Sequence, residues 1–366
     1  MKRSRPALGW GAAAFALLQL GMTVGIEFFW PELRDPDYGY RFQHLAARTV
    51  RAEPRPITMM MIGSSCTGYG FEGSLVEHRI GQKFGRPVVA FNMGVRGAGP
   101  VRQLICLNRV LASGIKPDLL MIEVMPLFMQ SPGPSPIEVG WLPITRLRHD
   151  ELELVERYGK SAGPHGGDWW NAFLLPWFEH RFTIVSRFSP KLLPFSLQDD
   201  WGKGADQCGW IALKRFQVQT SVQPGPLELP AWAGDLKHFT LNDAACRAQR
   251  ELLDLCRNEH IPAVLVLMPV SSNLRGLYRA TAATTMNDFL NDLSATYGTP
   301  IVNAQDWVPD TGFADSQHLL TEGAEVFTER LAREVLLSSP SLPGVPAVNR
   351  IHAGSRSEGL VEPLGR

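Results

Sequence analysis

The sequence has no excess of either charge: 36 Lys+Arg balance 36 Asp+Glu across 366 residues. Without a basic footprint, no nucleic-acid partner is expected. Cysteine is scarce. There are five, Cys66, Cys106, Cys208, Cys246 and Cys256, and an odd number leaves at least one unpaired within a monomer. Cys246 and Cys256 fall on one predicted helix about 15 Å apart, beyond disulfide reach. No CxxC pair and no HExxH occurs, so no structural metal is expected. Long apolar runs are missing after the amino terminus, which excludes a multi-span membrane protein. A content of 45% apolar and 20% charged residues excludes a collagen or a chain disordered throughout. The length suits one large domain or two smaller ones.

One long apolar run is present. Ala7 to Ile26 carries only Gln19 and Thr23 as clearly polar members, and Lys2, Arg3 and Arg5 precede it. Twenty helical residues span about 30 Å, one hydrocarbon core. Trp10 stands near one end and Phe28, Phe29 and Trp30 at the other, as interfacial aromatics do. The leading positive residues put the body of the chain on the extracytoplasmic side. A cleaved signal peptide would end in small residues, whereas Glu27, Phe28 and Phe29 follow the run. Residues 1–31 therefore read as a retained signal anchor. The bland alternative is the buried first helix of a soluble fold.

Five short apolar runs follow, at 57–62, 87–91, 119–124, 263–268 and, more weakly, 300–303. Continuous rather than alternating apolarity marks strands buried on both faces. Helical spacing appears at 71–84, 101–111, 242–258, 285–297 and 322–337. The alternation predicts an α/β fold, a flavodoxin-like doubly wound parallel sheet of about five strands. It breaks between 127 and 240, where Pro, Gly and seven of the ten tryptophans gather (141, 169, 170, 177, 201, 210 and 232). This stretch reads as a large, irregular, aromatic-rich insertion or lid. Its aromatics either form a small core of their own or stack on a sugar or an acyl chain. Residues 32–126 and 241–337 then make two parts of one domain. Residues 338–366, rich in Ser, Pro and Gly, are expected not to fold.

Two segments carry candidate chemistry. Gly63-Ser64-Ser65-Cys66-Thr67-Gly68 lies where the first strand ends and a helix is about to begin. Ligands of open parallel sheets bind outside such strand ends. The bland reading is a glycine-rich turn that caps a helix. Asp315-Ser316-Gln317-His318 lies after the fifth strand and leads into the last helix. An Asp three residues before a His can orient the imidazole while the other ring nitrogen faces a nucleophile. A surface loop with a helix cap is the competing reading. Cys66 is a lesser nucleophile candidate, since small buried cysteines outnumber reactive ones. Ser271 and Ser272, near Arg275, either line a pocket or cap the next helix.

Together the two segments resemble the SGNH (GDSL-like) hydrolase family. Gly63-Ser64-Ser65 is similar to its Gly-Asp-Ser block, with Ser64 where Asp usually stands, so the resemblance implies Ser65 as nucleophile. Phe91-Asn92-Met93-Gly94-Val95-Arg96-Gly97 resembles the second block, implying that Gly97 and Ser65 give backbone N–H groups to an oxyanion. Asp315 and His318 match the last block, implying a Ser-His-Asp triad that needs no metal and no organic cofactor. Ser64, Asn92, Arg96 and Glu123 are candidate substrate contacts. The third block departs: Leu119 to Phe128 contains no Asn, and losing one oxyanion donor costs about 10²–10³ in rate. Glu123, a charge in a buried-looking strand, either reaches the site or pairs with an arginine. The anchor and the Gly-Ser-Ser start also resemble the DltD and alginate-acetylation groups. That implies an ester or acylated glycan as substrate and a membrane acyltransferase as partner, with transfer to an alcohol as open as transfer to water. A catalytically dead scaffold that binds polysaccharide is the third expectation.

Overall fold

The computed structural model describes residues 4–336, apart from 51, 131–132, 160–161, 195–196, 199–200, 216–228, 230–238 and 279. Five parallel strands form one sheet: β1 Ile57–Gly63, β2 Val88–Gly94, β3 Leu119–Val124, β4 Ala263–Leu267 and β5 Ile301–Asn303. Their order is β2-β1-β3-β4-β5. They are the five apolar runs of the sequence, with β1 and β2 carried on to glycines that pair in register, Gly63 opposite Gly94.

The unbroken apolarity has a direct cause in β1. Met60 and Ile62 enter the core on one face of the sheet, and Ile57, Met59 and Met61 enter it on the other. With helices on both faces, neither can present a polar side chain to water. The first face is covered by the helices Pro100–Ala112, Asp243–Asn258 and Ala280–Tyr297, through Leu104, Leu107, Leu252, Leu253 and Leu293. The second is covered by Gly73–Phe84 and Thr321–Leu331, through Val76, Ile80, Phe327 and Leu331. Each such side chain contributes about 1.5–3 kcal/mol by leaving water.

The segment after β3 differs from its expected irregularity. It carries the helices Pro126–Met129, Ile137–Trp141, His149–Arg157, Ala162–Leu174 and Pro176–Phe188. Pro126 and Pro176 stand in the first turn of their helices, where a missing N–H is harmless. The prolines that interrupt the sequence pattern thus open helices rather than break them. Further on, the chain returns to the sheet edge, where Cys208 O accepts from Asn92 N at 2.7 Å and Gly68 O accepts from Ile211 N at 3.1 Å. Trp232 and the tail 338–366 lie outside the described residues.

The helix Ser4–Val24 continues into a π-helical turn, Gly25–Phe29, and Pro6–Phe29 is long and apolar enough to cross a membrane. It is not the buried first helix of a soluble core. Leu8, Trp10, Phe15, Leu17 and Leu18 are exposed, and burial begins at Gln19, Thr23 and Ile26.

Candidate active site

The first strand delivers the chain to a tight turn. Ser64 caps the short helix Ser65–Gly70, its Oγ accepting from Cys66 N at 3.1 Å. Beneath the turn lies Glu123, near the end of the neighbouring strand β3. Its Oε2 accepts from Ser64 N (3.0 Å), Thr67 N (3.0 Å) and Thr67 Oγ1 (2.5 Å), while Oε1 accepts from Ser64 Oγ at 2.6 Å. Gly63 is required by this approach, since a Cβ there would run into the Glu123 carboxylate and the Thr67 hydroxyl. Burial pushes the Glu123 carboxyl above its usual range, against the pull of the Ser64 and Thr67 bonds. Asn92 braces the far side. Its amide donates to Thr67 O and Phe71 O, each at 2.7 Å, and its Oδ1 accepts from Gly94 N.

Three expected substrate contacts are thereby redirected. Ser64, Asn92 and Glu123 are buried and bonded to the turn itself, so they hold the site rather than face a ligand. Glu123 pairs with hydroxyls and amides, not with an arginine. The Cys66 thiol is buried in the core, and desolvation, then the Glu123 charge, push it well above its ordinary range. A thiolate there is disfavoured.

Ser65 opens the helix, so its N–H has no intrahelical acceptor. Its Oγ lies 2.8 Å from His318 Nε2, and His318 Nδ1 lies 2.7 Å from Asp315 Oδ2. The other Asp315 oxygen accepts from Gln317 N (2.9 Å) and His318 N (2.8 Å), closing a compact turn. Burial alone would raise the Asp315 carboxyl; the bond and charge of His318 and the two amides outweigh it and hold the group below its usual range. An ionised Asp315 requires the N–H at Nδ1, and in the neutral ring that tautomer turns the Nε2 lone pair to the Ser65 hydroxyl. The ring is steadied edge-on by Tyr69, centroids 5.4 Å apart.

The turn after β2 brings Gly97 with φ +67°, a left-handed conformation that favours glycine, against the Trp141 ring. A second buried carboxylate holds this turn: Glu138 accepts from Gly99 N and Val101 N, each at 2.8 Å, and from Arg102 N at 3.0 Å. Burial pushes Glu138 up to about 7 despite those amides and the Arg102 charge. Arg96 forms two bonds to Asp37, at 3.1 and 2.8 Å, while its side chain stays 44% exposed. Trp201 completes the rim. Its Nε1 donates to Tyr69 Oη at 2.9 Å, the Arg41 guanidinium lies 4.0 Å from its ring centroid and that of Arg96 5.5 Å.

Sequence reasoning missed Thr67, Tyr69, Glu138 and the pairing of Arg96 with Asp37. Tyr69 carried a signal, since four residues after Ser65 on a helix is the same face. Ser271 resolves to the capping alternative, its Oγ accepting from Leu274 N. Among the described residues no group of three or more His, Cys, Asp or Glu could hold a metal ion.

No protein-family model and no curated protein matches the chain. Among solved structures, a single-site variant of the esterase AlinE4 aligns at 13% identity and a TM-score of 0.34, covering 79% of this chain and 100% of its own. A proposed acylhydrolase from Bacteroides fragilis NCTC 9343 aligns at 11% identity and a TM-score of 0.37, covering 84% and 98%. Likeness at this level says nothing of chemistry, which is read from the side chains themselves.

Proposed function

We propose that the protein is a serine esterase that removes O-acyl groups, such as O-acetyl groups, from a glycan or a related alcohol. The observation that carries this reading is the continuous chain Ser65 Oγ–His318–Asp315, with links of 2.8 and 2.7 Å. The Ser65 oxygen attacks the ester carbonyl and its proton passes to His318 Nε2. The N–H groups of Ser65 and Gly97 stabilise the oxyanion. Collapse expels the alcohol, which takes the proton from His318. Water then attacks the acyl-serine, His318 again accepts the proton, and the acid leaves as Ser65 is restored. The strand order β2-β1-β3-β4-β5 supports a flavodoxin-like reading, in which ligands sit where that order reverses, between β1 and β3. The ends of those strands supply Ser65 and Glu123, which supports an SGNH-like assignment. Residues 127–240 are read as an insertion whose Trp141 and Trp201 rim the site, and Arg96 as a contact for the substrate's polar part.

The apolar helix Pro6–Phe29 favours a second reading of the same triad. Anchored by this helix on the extracytoplasmic side, the enzyme would pass the acyl group to a hydroxyl of a cell-surface polymer, beside a membrane acyltransferase. The test is fluorophosphonate labelling of the full chain in detergent micelles. Wild type and Ser272→Ala, an exposed serine, should label. Ser65→Ala should abolish labelling and His318→Ala should slow it by roughly 10⁴-fold or more. A folded wild type that does not label would sink the triad reading and leave a polysaccharide-binding scaffold. Esters that turn over only when an acceptor alcohol is added would select transfer over hydrolysis.

A further inference from the structure

The exposed apolar side chains of this molecule are not scattered. Outside the N-terminal helix they concentrate on the helices Ala162–Leu174 and Pro176–Phe188 and the turn after them: Trp170, Leu174, Trp177, Phe178 (64% exposed), Phe188 (66%) and Leu192 (77%). Elsewhere the described residues expose only Trp30, Val50, Trp141, Leu197, Leu229 and Val326 as large apolar side chains. A concentration of exposed apolar side chains of this kind marks an interaction site.

We propose that this helical hairpin is a second membrane-seated element, lying in the boundary layer of the lipid bilayer beside the N-terminal helix. The inference rests on reading that helix as a span. Three observations carry it. First, the hairpin touches the span where the lipid boundary falls. Thr23 Oγ1 donates to Phe173 O at 2.7 Å. The 24 residues Pro6–Phe29 measure about 36 Å as a helix against a core of about 30 Å. Centred, that helix puts Thr23, six residues from its end, about 6 Å inside the hydrocarbon edge. A segment bonded there does not lie in bulk water.

Second, backbone at such a depth must satisfy its own polar groups. At the junction of the two helices Leu175 N donates to Asn171 O at 2.8 Å, Pro176 has no N–H to satisfy, and Phe178 N donates to Leu175 O at 3.0 Å. Two further groups are met by the span: Gln19 Oε1 accepts from Trp177 N at 3.5 Å and Thr23 serves the Phe173 carbonyl. The two clearly polar side chains of the apolar run thus both serve the hairpin junction, as small polar residues between membrane helices do.

Third, the composition suits the interface. Trp170 and Trp177 flank the junction, and the Arg181 guanidinium lies 4.4 Å from the ring centroids of both Phe178 and Phe182. Aromatic rings with a cation alongside are the pattern of helices that lie in the headgroup boundary.

The test uses the full chain reconstituted in phosphatidylcholine vesicles. Single cysteines at Leu17→Cys, Phe178→Cys and Val326→Cys carry an environment-sensitive dye; all three positions are exposed and the five native cysteines are buried. Brominated phosphatidylcholine and aqueous iodide serve as the two quenchers. The expected result is loss of emission to brominated lipid at 17 and 178, with protection from iodide, and the reverse at 326. If 17 is quenched by lipid while 178 stays open to iodide, the hairpin proposal fails and the span stands. If 178 is closed to iodide yet untouched by brominated lipid, a second copy of the chain covers the face and the proposal is wrong. If 17 itself is open to iodide, the span fails and the hairpin proposal falls with it. Because the labels read depth alone, none of these outcomes bears on the triad.

Discussion

Two buried glutamates hold the two turns of the candidate site, and they do it differently. Glu123 rises from a strand and meets two backbone N–H groups and two hydroxyls at Ser64 and Thr67. Glu138 comes from a helix after β3 and accepts from backbone amides at Gly99, Val101 and Arg102. A hydroxyl can turn and accept where it had donated, whereas an amide N–H only donates. The Ser65 turn therefore rests on an adaptable cradle and the Gly97 turn on an inflexible one. In both cases burial lifts the carboxyl above its usual range, so each turn is held at a cost in solvation.

Removing the first cradle should have the largest effect. Glu123→Ala leaves four buried donors without their acceptor, and we expect a loss of about 4 kcal/mol in urea unfolding in micelles, with at least a hundredfold drop in fluorophosphonate labelling. Wild-type labelling rates in this variant would show that the Ser65 turn does not depend on Glu123.

Next comes pH. Glu138 sits near 7 when folded and near 4.5 in its ordinary state. Between those values the folded chain holds the extra proton, so stability must fall as pH rises through the window, by up to about 3 kcal/mol. Urea midpoints at pH 5 and pH 8 read this directly, and Glu138→Gln should flatten the slope. A slope unchanged in that variant would assign the dependence elsewhere.

The sharpest contrast is between the two glutamines, measured at one pH. In Glu138→Gln the new NH2 opposes a backbone N–H that cannot reverse, for about 2 kcal/mol. In Glu123→Gln the NH2 donates to Ser64 Oγ, whose own hydrogen turns away, and the cost should stay below about 1 kcal/mol. Equal losses would erase the distinction between the cradles. Smallest of all, Thr67→Val deletes one of four donors and should cost well under Glu123→Ala, about 1 kcal/mol.

What the sequence made legible is what it holds locally. Four strands announce themselves as apolar runs because both faces of each are covered, the fifth, with Asn303 exposed, does so more weakly, and the Asp315–His318 pair is contained in four residues. Ser65 is visible because a glycine-edged turn follows a strand. The helices between Pro126 and Phe188 were hidden by prolines that mark beginnings. Glu123 and Glu138 were hidden by distance: the partners of the first lie 56 to 59 positions away and those of the second 36 to 39. Trp201 reaches Tyr69 across 132 positions. No periodicity encodes a contact of that kind, because only the folded sheet sets it.

The bond between Ser65 and His318 crosses 253 residues of chain. A ribosome adding about 5–20 residues per second needs roughly 10–50 s to travel that distance. Throughout that interval Ser65 exists without His318, whereas Glu123, on which its turn rests, is made early. The two halves of the site can meet only once the 315–318 turn has been made, so the order of synthesis itself sets when it can assemble.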